Sequence, residues 1–423
     1  MQELKTQIER RYPSMAKSTR MTLTCGDLFA GAGGLSVGFE TAGFRPVFFN
    51  EFDQTASDTY MLNCPQAKAF VRPIQELHTG TIESECHLEV GTLDILLGGP
   101  PCQGFSINAP IRTDADPRNH LFRHYIRLLE GLRPKFILME NVPGLLSLDN
   151  GKTLKDVLIA FKEAGYKVAF KILNAAHYGV PQERWRLVFL GTSVLGIEPS
   201  FPRPVCYSLR RPNFTGGRDY TFDDAIGAPD SSMLFPSSLL SPTSVGEAID
   251  DLPRIESGGG ADEMAYTSEP QCTYQEVLRE GSDCVLNHEC MDLAKVNIER
   301  MRHVKPGGSW RDIPFDLLPR GLKIARRSDH TRRYGRLDPD SLSGTVLTKC
   351  DPHWGTFVHY NQDRVISIRE AARIQSFPDW FRFVGPRVSQ YRQVGNAVPS
   401  LLARHLADHV KKLMNSAKQN SNS

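Results

Sequence analysis

The stretch LTCGDLFAGAGGLSVGFETAGFRPVFFNE, residues 23–51, begins with an apolar run, passes through a glycine-rich turn and ends in a second apolar run. This pattern predicts a strand over Thr22–Leu28, a helix over Leu35–Ala42 and a second strand over Arg45–Asn50. Glycines between the first strand and the helix permit a tight turn close to a ligand. The unit is typical of a doubly wound α/β sheet, which binds its ligand at the carboxyl ends of the strands.

The alternation of strands and helices continues to about Thr192. The further predicted strands are Ile95–Leu97, Phe136–Glu140, Lys167–Leu173 and Leu187–Leu190, and the further predicted helices are Gln54–Asn63, His120–Gly131 and Thr153–Ala164. From about Pro199 the chain is rich in Pro, Ser, Gly and Arg, which predicts a second, smaller and irregular domain. We expect a flexible segment over 1–20, a first domain over 21–200, a second over 201–385, a returning C-terminal helix over 386–414 and a disordered tail over 415–423.

The charge of the chain is unevenly distributed. The net charge is only +2, but the stretch from Lys295 to Arg336 contains twelve Lys or Arg and only four acidic residues. It follows an acidic stretch from Glu247 to Glu289. A basic block of this kind forms either a phosphate-binding face or a solvated surface.

The cysteines and the hydropathy exclude some classes of protein. Nine cysteines without paired spacing argue against a disulfide-stapled secreted protein, and no apolar stretch is long enough to span a membrane. We therefore expect a soluble protein in a reducing compartment. Cys284, His288 and Cys290 cluster, but without a Cys-x-x-Cys pair they are better explained as incidental, and no metal site is predicted.

A second informative stretch is GGPPCQGFS, residues 98–106, which follows the apolar run Asp94–Leu97. Its two prolines fix φ and provide no N–H group, so the turn presents Cys102 instead of packing it. A nucleophile and a buried structural cysteine are both consistent with this stretch alone.

Two carboxylates flank the glycine-rich turn. Glu51 ends the second strand, where a ribose-binding acid belongs. Asp27 precedes the turn and would repel a pyrophosphate, and the glycine spacing departs from the Gly-x-Gly-x-x-Gly of dehydrogenases. The turn therefore suits a ligand with a cationic centre, such as the sulfonium of S-adenosyl-L-methionine, or is a structural turn only.

Three weaker motifs complete a recognisable order: Glu140-Asn141-Val142, Gln182-Glu183-Arg184-Trp185-Arg186 and Gln393-Val394-Gly395-Asn396-Ala397-Val398-Pro399. With the motifs above, the set resembles the DNA (cytosine-5) methyltransferase family, of the bacterial modification-enzyme type, from about Cys25 to about Val410. Further matching stretches are Asp116-Pro117-Arg118, Met301-Arg302-His303 through Asp312, Arg336-Leu337, Thr345 and Thr348.

The resemblance implies a Rossmann-like domain that binds S-adenosyl-L-methionine and a target-recognition domain after it. The cofactor-binding residues it implies are Asp27, Phe29, Ala30, Gly31, Gly33, Gly34, Leu35, Glu51, Phe52, Gly99, Pro101, Leu121, Asn396 and Ala397. One departure is visible, since Arg72-Pro73-Ile74 stands where the family has an Asp-Ile that binds the adenine amino group. A proline side chain cannot accept that hydrogen bond, so we expect a backbone or neighbouring group to replace it.

The resemblance also implies covalent catalysis. The Cys102 thiolate would add to C6 of cytosine and make C5 nucleophilic. Glu140, kept protonated by burial, would supply a proton or a strong hydrogen bond to N3 of the cytosine. Asn141 would hold the loop that carries Glu140. Arg186, with Arg184, would steady the base carbonyl and Glu140. Because this chemistry cannot occur inside a duplex, the target cytosine would be flipped out.

The implied substrate is double-stranded DNA, with the DNA-binding residues Gln103, Ser106, Gln182, Arg332, Arg333, Arg336 and Thr345. We expect a monomer in the cytoplasm, associated with the nucleoid through DNA and paired in function with a restriction endonuclease without a stable complex. The alternatives are an RNA cytosine methyltransferase of the same fold, disfavoured by the long insert Pro199–Asp340, a catalytically silent DNA-binding homologue, disfavoured by the intact motifs, and a Rossmann oxidoreductase.

Overall fold

The computed structural model describes residues 9–19, 22–101, 121–208 and 241–420, with side chains to 416. Predicted site residues Cys102, Gln103 and Ser106 lie outside these ranges. The chain divides into two compact units. The sheet unit comprises Lys17–Tyr178, Trp185–Ser241 and Leu402–Ser423, and the second unit comprises Met1–Ala16, Gly179–Arg184 and Pro242–Leu401.

The sheet unit is built on a seven-stranded sheet of order β3-β2-β1-β4-β5-β7-β6. Its strands are β1 (Leu23–Leu28), β2 (Phe44–Asn50), β3 (Lys68–Phe70), β4 (Ile95–Gly98), β5 (Phe136–Asn141), β6 (Lys167–Asn174) and β7 (Trp185–Thr192). All neighbours are parallel except β7, which runs antiparallel to β5 and β6. This sheet confirms the predicted α/β fold class. The strand order reverses between β1 and β4, and the carboxyl ends of strands at such a point are where α/β sheets bind ligands.

The helices α1 (Gly34–Thr41), α2 (Gln54–Asn63), α4 (Leu121–Leu132) and α5 (Lys152–Glu163) fall close to their predicted positions, and a further helix, α3 (Thr79–Cys86), lies between α2 and α4. Neither the strand β3 nor the helix α3 was predicted from the sequence. β3 has three residues, too few to show a periodicity, and α3 buries only Ile82, so it lacks an apolar stripe.

The core of the sheet unit consists of apolar side chains from the central strands and the covering helices. Leu96 and Ile137 of the sheet and Tyr125 and Phe161 of the helices are completely or almost completely buried within one cluster. Strands buried on both faces read as continuous apolar runs. This is why the central strands were predictable from the sequence.

The C-terminal helical region is two helices, α11 (Arg387–Asn396) and α12 (Ser400–Asn420), instead of the single helix expected. Pro399 lies between them and cannot continue a helical hydrogen-bond ladder. Within the sheet unit, the Arg404 side chain of α12 donates to the carbonyl of Thr41, the last residue of α1, at 2.6 Å. The Lys411 side chain of α12 donates to the carbonyl of Ala42, the next residue, also at 2.6 Å. These bonds fasten α12 to the C-terminus of α1.

The second unit consists of short elements and turns. They are α6 (Val245–Ile249), β8 (Gly260–Met264), α7 (Thr273–Arg279), β9 (Val285–Glu289), α8 (Lys295–Arg302), α9 (Arg320–Lys323), β10 (Gly335–Arg336), β11 (Thr356–Val358) and α10 (Ile368–Ile374), followed by α11. Its interior contains buried ion pairs, including those of Arg373 with Asp251 and Asp379, at 3.0 Å and 2.6 Å. Breaking such a pair leaves an uncompensated buried charge, so these arginines hold an irregular fold in one arrangement.

The beginning of the chain is fixed where it is described. Tyr12 is 8% exposed and Met15 is fully buried. The hydroxyl groups of Tyr12 and Thr243 are hydrogen-bonded at 2.8 Å, and the Trp380 indole donates to the Met15 carbonyl at 3.0 Å. Residues 12–15 are therefore fixed within the second unit, whereas residues 1–8 and 20 of the segment expected to be flexible lie outside the described residues.

Gly26 in β1 provides a stability test of the sheet. A Cβ atom at this position would lie 2.3 Å from the Phe48 ring on the neighbouring strand. We expect Gly26→Ala to lower the free energy of unfolding by about 1–3 kcal/mol through overpacking. In the matched variant Gly80→Ala, the new Cβ meets nothing within 4 Å on helix α3, so its stability should be unchanged or raised. Urea denaturation of both variants measures this, and equal midpoints would contradict the packing account.

Candidate active site

The glycine-rich turn between β1 and α1 combines a tight bend with an open side. Phe29, Gly31 and Gly33 have left-handed φ angles of 55°, 55° and 101°. A Cβ atom on Gly33 would lie 2.9 Å from the Tyr60 ring, whereas one on Gly31 would meet no atom within 4 Å. The backbone is thus closely packed at Gly33 and leaves space beside Gly31, at the carboxyl end of β1.

Glu51 connects this turn to the end of β2. One carboxylate oxygen accepts from the Gly31 N–H at 2.9 Å, and the other accepts from the N–H groups of Phe52 at 2.9 Å and Asp53 at 2.8 Å. Burial raises the pKa of Glu51, against the effect of these three donors. The neighbouring Phe52 ring is 71% exposed. A carboxylate and an uncovered aromatic ring, side by side, suit the hydroxyl groups and the flat base of a nucleoside.

Asp27 lies under the turn and has an incomplete set of partners. Its Oδ2 accepts from the Ser36 hydroxyl at 2.7 Å, and Ser36 in turn accepts from the Tyr60 hydroxyl at 2.6 Å. Oδ1 of Asp27 has no hydrogen-bond partner among the described residues, although the side chain is 1% exposed. Burial raises the pKa of Asp27 to about 7. A buried, unpaired carboxylate oxygen is costly, and a cationic ligand group would compensate it.

The end of β4 leads into the segment that carries Cys102. The Gly99 N–H donates to the Leu28 carbonyl at 3.3 Å. The Asn141 amide, at the end of β5, donates to the Pro100 carbonyl at 3.1 Å. Two neighbouring strands therefore fix the chain at residues 99–100. The predicted role of Asn141 in holding a loop is consistent with this bond.

Glu140 and Arg186 form an ion pair between β5 and β7. Arg186 Nε lies 2.6 Å from Glu140 Oε1, and both side chains are 13% exposed. Burial lowers the pKa of Arg186, and Glu140 opposes this effect. The other Glu140 oxygen lies 3.5 Å from the ideal position of a Cβ on Gly99. The structure thus brings Glu140, Arg186 and the end of β4 together, while the expected protonation of Glu140 stays a prediction.

Arg184 occupies a different environment from the one predicted. It belongs to the second unit, where its guanidinium donates to the carbonyls of Gly395 and Ala397 at 2.9 Å and of Val346 at 3.3 Å. The side chain is 2% exposed. These contacts fix the backbone around the predicted cofactor residues Asn396 and Ala397. We therefore reassign Arg184 from base contact to positioning.

Two predicted DNA-binding residues are buried inside the second unit. Gln182 is fully buried, and its amide donates to Gln375 Oε1 at 2.9 Å and to the Ile374 carbonyl at 3.2 Å. Arg336 is 5% exposed. The partners of its guanidinium are the carbonyls of Met301, Val304, His359 and Gln362 and the Asp363 carboxylate. Side chains held in this way have no donor left for DNA, so both predictions are wrong.

The remaining predicted residues are placed as follows. Leu121 begins α4 and packs partly against the core of the sheet unit. In the second unit, the Thr345 hydroxyl donates to the Glu183 carbonyl at 2.9 Å. Arg332 is exposed and Arg333 is half-buried. Among the predicted DNA-binding residues that the structure describes, Arg332, Arg333 and the half-buried Thr345 therefore keep some exposure to solvent.

The sequence analysis missed the role of Asn50. The Asn50 amide donates to the carbonyls of Phe70 and Arg72, each at 2.8 Å. It thereby fixes the segment that departs from the family pattern at Pro73. A buried asparagine that ends an apolar strand was the available signal, because a buried amide must find partners.

Within the described ranges, no group of three or more His, Cys, Asp or Glu side chains is placed to hold a metal ion. The helices of the same ranges include none that is long and apolar enough to cross a membrane.

Comparison with known proteins is consistent across sequence and structure. A Type II methyltransferase of Haemophilus parahaemolyticus, M1.HphI, is 35% identical over 395 residues, covering 93% of this chain and 88% of that protein. M.DdeI of Desulfomicrobium norvegicum, also named a Type II methyltransferase, is 35% identical over 409 residues, covering 91% and 87%. A crystal structure from E. coli, of a putative DNA modification methyltransferase encoded within a prophage, matches with a TM-score of 0.68 at 25% identity, covering 93% of this chain and all of that one.

The family model of the C-5 cytosine-specific DNA methylases matches residues 23–227 and 241–412, which include the glycine-rich turn, the Glu140–Arg186 pair and the segment around Ala397. The chain belongs to the C-5 cytosine-specific DNA methylase family and is a DNA (cytosine-5)-methyltransferase.

Proposed function

We propose that this protein transfers a methyl group from S-adenosyl-L-methionine to C5 of a flipped cytosine in a specific short sequence of duplex DNA. We further propose that it is the modification enzyme of a restriction-modification system, which the names of its Type II relatives support. The observation that supports this proposal most is the Glu140–Arg186 ion pair, which lies beside the end of β4. In the sequence, the segment with Cys102 follows the end of β4. The ion pair places an acid and a cation on adjacent strands, next to the strand that precedes Cys102 in the sequence.

The residues at the carboxyl ends of β1 and β2 fit S-adenosyl-L-methionine. This compound supplies a methyl group activated by a sulfonium. Glu51 would accept from ribose hydroxyls, and Phe52 would cover the adenine ring. The orphaned Asp27 oxygen fits a cationic group of the ligand. Asn396 and Ala397, in the second unit, stay predicted contacts of the same ligand.

The pKa of Asp27 gives a pH-dependent prediction for this binding. With a pKa of about 7, Asp27 is mostly protonated at lower pH. A cation beside it favours the ionised form, so binding releases a proton, and affinity for S-adenosyl-L-methionine rises with pH. We expect this rise between about pH 5.5 and 7.5, below the range where an α-amino group loses its charge. Its slope is at most about one log unit per pH unit.

Calorimetric titration in two buffers of different ionisation enthalpy counts the released protons. Asp27→Asn should bind more weakly, with an affinity that no longer changes over this range. An unchanged pH slope in Asp27→Asn would show that another group titrates.

The side chains then divide the chemistry on cytosine. The Cys102 thiolate adds to C6, and the electron pair displaced towards N3 is stabilised by a proton or hydrogen bond from Glu140. This addition removes the aromaticity and makes C5 nucleophilic enough to accept the methyl group. A base then takes the C5 proton, and the electrons of that bond restore the ring as the sulfur leaves. Arg186 holds Glu140 in place and adds a charge-assisted donor.

The second unit is the proposed target-recognition domain. Eight of the twelve cations between Lys295 and Arg336 are exposed: Lys295, Arg302, Lys305, Arg320, Lys323, Arg326, Arg327 and Arg332. Exposed Lys and Arg bind phosphates without reading sequence, so they would position the duplex for flipping. We propose that the protein acts as a monomer on DNA in the cytoplasm, with a restriction endonuclease as a functional partner outside any stable complex.

Bisulphite sequencing tests this function. Unmethylated plasmid is incubated with the protein and S-adenosyl-L-methionine, then converted and sequenced. The proposal predicts protected cytosines within one recurring short sequence. A folded protein that binds S-adenosyl-L-methionine and protects no cytosine would contradict it. The same assay on RNA would then show whether RNA is the acceptor.

A further inference from the structure

Trp354 lies on the surface of the second unit, on a turn with a fixed conformation. Its side chain is 61% exposed. The Trp354 N–H donates to the Asp351 carbonyl at 3.0 Å, and the His353 N–H donates to the Asp351 carboxylate at 2.8 Å. A Cβ on Gly355 would lie 2.5 Å from the Phe357 ring, so any larger residue at this position would have to displace that ring. The turn therefore presents the indole ring in a defined position.

A buried tyrosine attaches this turn to the rest of the unit. Tyr334 is fully buried, and its N–H donates to the Pro352 carbonyl at 2.6 Å. The Tyr334 hydroxyl lies 2.7 Å from His353 Nε2. The Gly335 N–H adds a bond to the Gly355 carbonyl at 3.3 Å. Bonds to Tyr334 and Gly335 on both sides of Trp354 therefore fix the backbone that carries the ring.

The surroundings of the ring are basic. The guanidinium of Arg333 lies 6.0 Å from the centre of the indole, within the range of a cation–π contact. Arg332, one of the exposed cations given above, and Lys349, five residues before Trp354 in the sequence, are both exposed. An exposed aromatic ring beside a cation is typical of sites that stack nucleic-acid bases.

We propose that Trp354 stacks on a base of the DNA substrate, with Arg333 beside it binding the adjoining phosphate. This inference rests on the proposed function and adds to it a specific contact. Stacking needs an uncovered base face, which an intact duplex does not offer. The base that Trp354 contacts is therefore one exposed when the duplex is distorted to release the target cytosine.

Tryptophan fluorescence tests the contact without relying on catalysis. Trp310 is 4% exposed and Trp185 and Trp380 are half-buried, so Trp354 supplies most of the emission that acrylamide can quench. The probe is fragmented plasmid DNA, and heparin serves as a polyanion without bases. We expect DNA, but not heparin, to protect the quenchable emission, and Trp354→Phe to lack that protected fraction. Equal protection by heparin, or none by DNA, would overturn the proposal.

Three variants test the same contact kinetically. Trp354→Ala should raise the KM for DNA about 5- to 150-fold, the range of one base–aromatic stack, while the Kd for S-adenosyl-L-methionine stays unchanged. Trp354→Phe should recover most of this loss because it keeps a π face. Leu195→Ala is the control, since that side chain is 95% exposed but belongs to the sheet unit, outside the basic stretch 295–336.

The outcomes separate this contact from the function on which it rests. A normal KM in Trp354→Ala, or an equal rise in Leu195→Ala, would refute the stacking contact while wild-type methylation of plasmid continued. Absence of methylation by the wild-type protein would instead refute the proposed function. The quenching experiment would still report whether Trp354 contacts DNA, because it does not depend on catalysis.

Discussion

Replacing Cys102 with serine is expected to abolish methyl transfer to DNA, with a fall in rate of about 10⁴-fold or more. The nucleophile in this account is a thiolate, and a serine hydroxyl is far less ionised at neutral pH than a thiol. Without the addition to C6, C5 of cytosine is too electron-poor to accept the methyl group. Incorporation of a labelled methyl group into plasmid DNA measures the loss.

The variant Cys86→Ser is the matched control for this substitution. Cys86 ends α3 as a half-buried free thiol, and no step assigned here uses it. Its activity should equal that of the wild type. Cys102→Ser should still bind DNA and S-adenosyl-L-methionine, because the change replaces one sulfur atom by oxygen and leaves the rest of the chain unaltered. If the variant kept more than about one hundredth of the wild-type rate, another residue would have to be the nucleophile.

Replacing Arg186 with alanine is expected to lower kcat by about 10²- to 10³-fold, similar to the loss of one preorganised charge-stabilising donor. The ion pair with Glu140 is largely shielded from water, so its removal leaves the carboxyl group without its partner and free to turn away. Arg186→Lys should recover only part of kcat, because lysine lacks the planar guanidinium fork. Steady-state kinetics with plasmid DNA measures the change.

A second ion pair of the sheet unit provides the control for Arg186. Lys135 lies 2.7 Å from Asp94, but the lysine side chain is 48% exposed. Lys135→Ala should leave kcat unchanged and alter stability by no more than about 1 kcal/mol. If Arg186→Ala and Lys135→Ala had the same kcat, the Glu140–Arg186 pair would have no role in the reaction.

The fold was predictable wherever burial leaves a continuous signal in the sequence. β4 and β5 are buried along almost their whole length, so their apolar runs, which end at Gly98 and at Asn141, marked them clearly. β3 and α3 left no such signal, because one is three residues long and the other buries a single side chain. The interruption between α11 and α12 was visible as Pro399, although the periodicity on both sides was interpreted as one helix.

The site was predictable where roles follow from position on strands. Glu140 and Arg186 were expected together, and the antiparallel pairing of β5 with β7 brings them within 2.6 Å. Gln182, Arg184 and Arg336 were misjudged because charged and amide side chains are usually exposed, whereas these three are buried. Their burial depends on carbonyl groups distant in the sequence, which no local pattern reveals.

The central claim is that Cys102 forms a covalent bond with a cytosine in DNA. A duplex with 5-fluorocytosine at the target position tests it most directly, because fluorine at C5 cannot leave as a proton does and the final elimination is blocked. Incubated with S-adenosyl-L-methionine, the wild-type protein should give a denaturant-stable complex with this DNA, and mass spectrometry should locate the linkage at Cys102. Cys102→Ser should form none. A wild-type protein that methylates ordinary DNA but forms no such complex, or a linkage at another residue, would contradict the account.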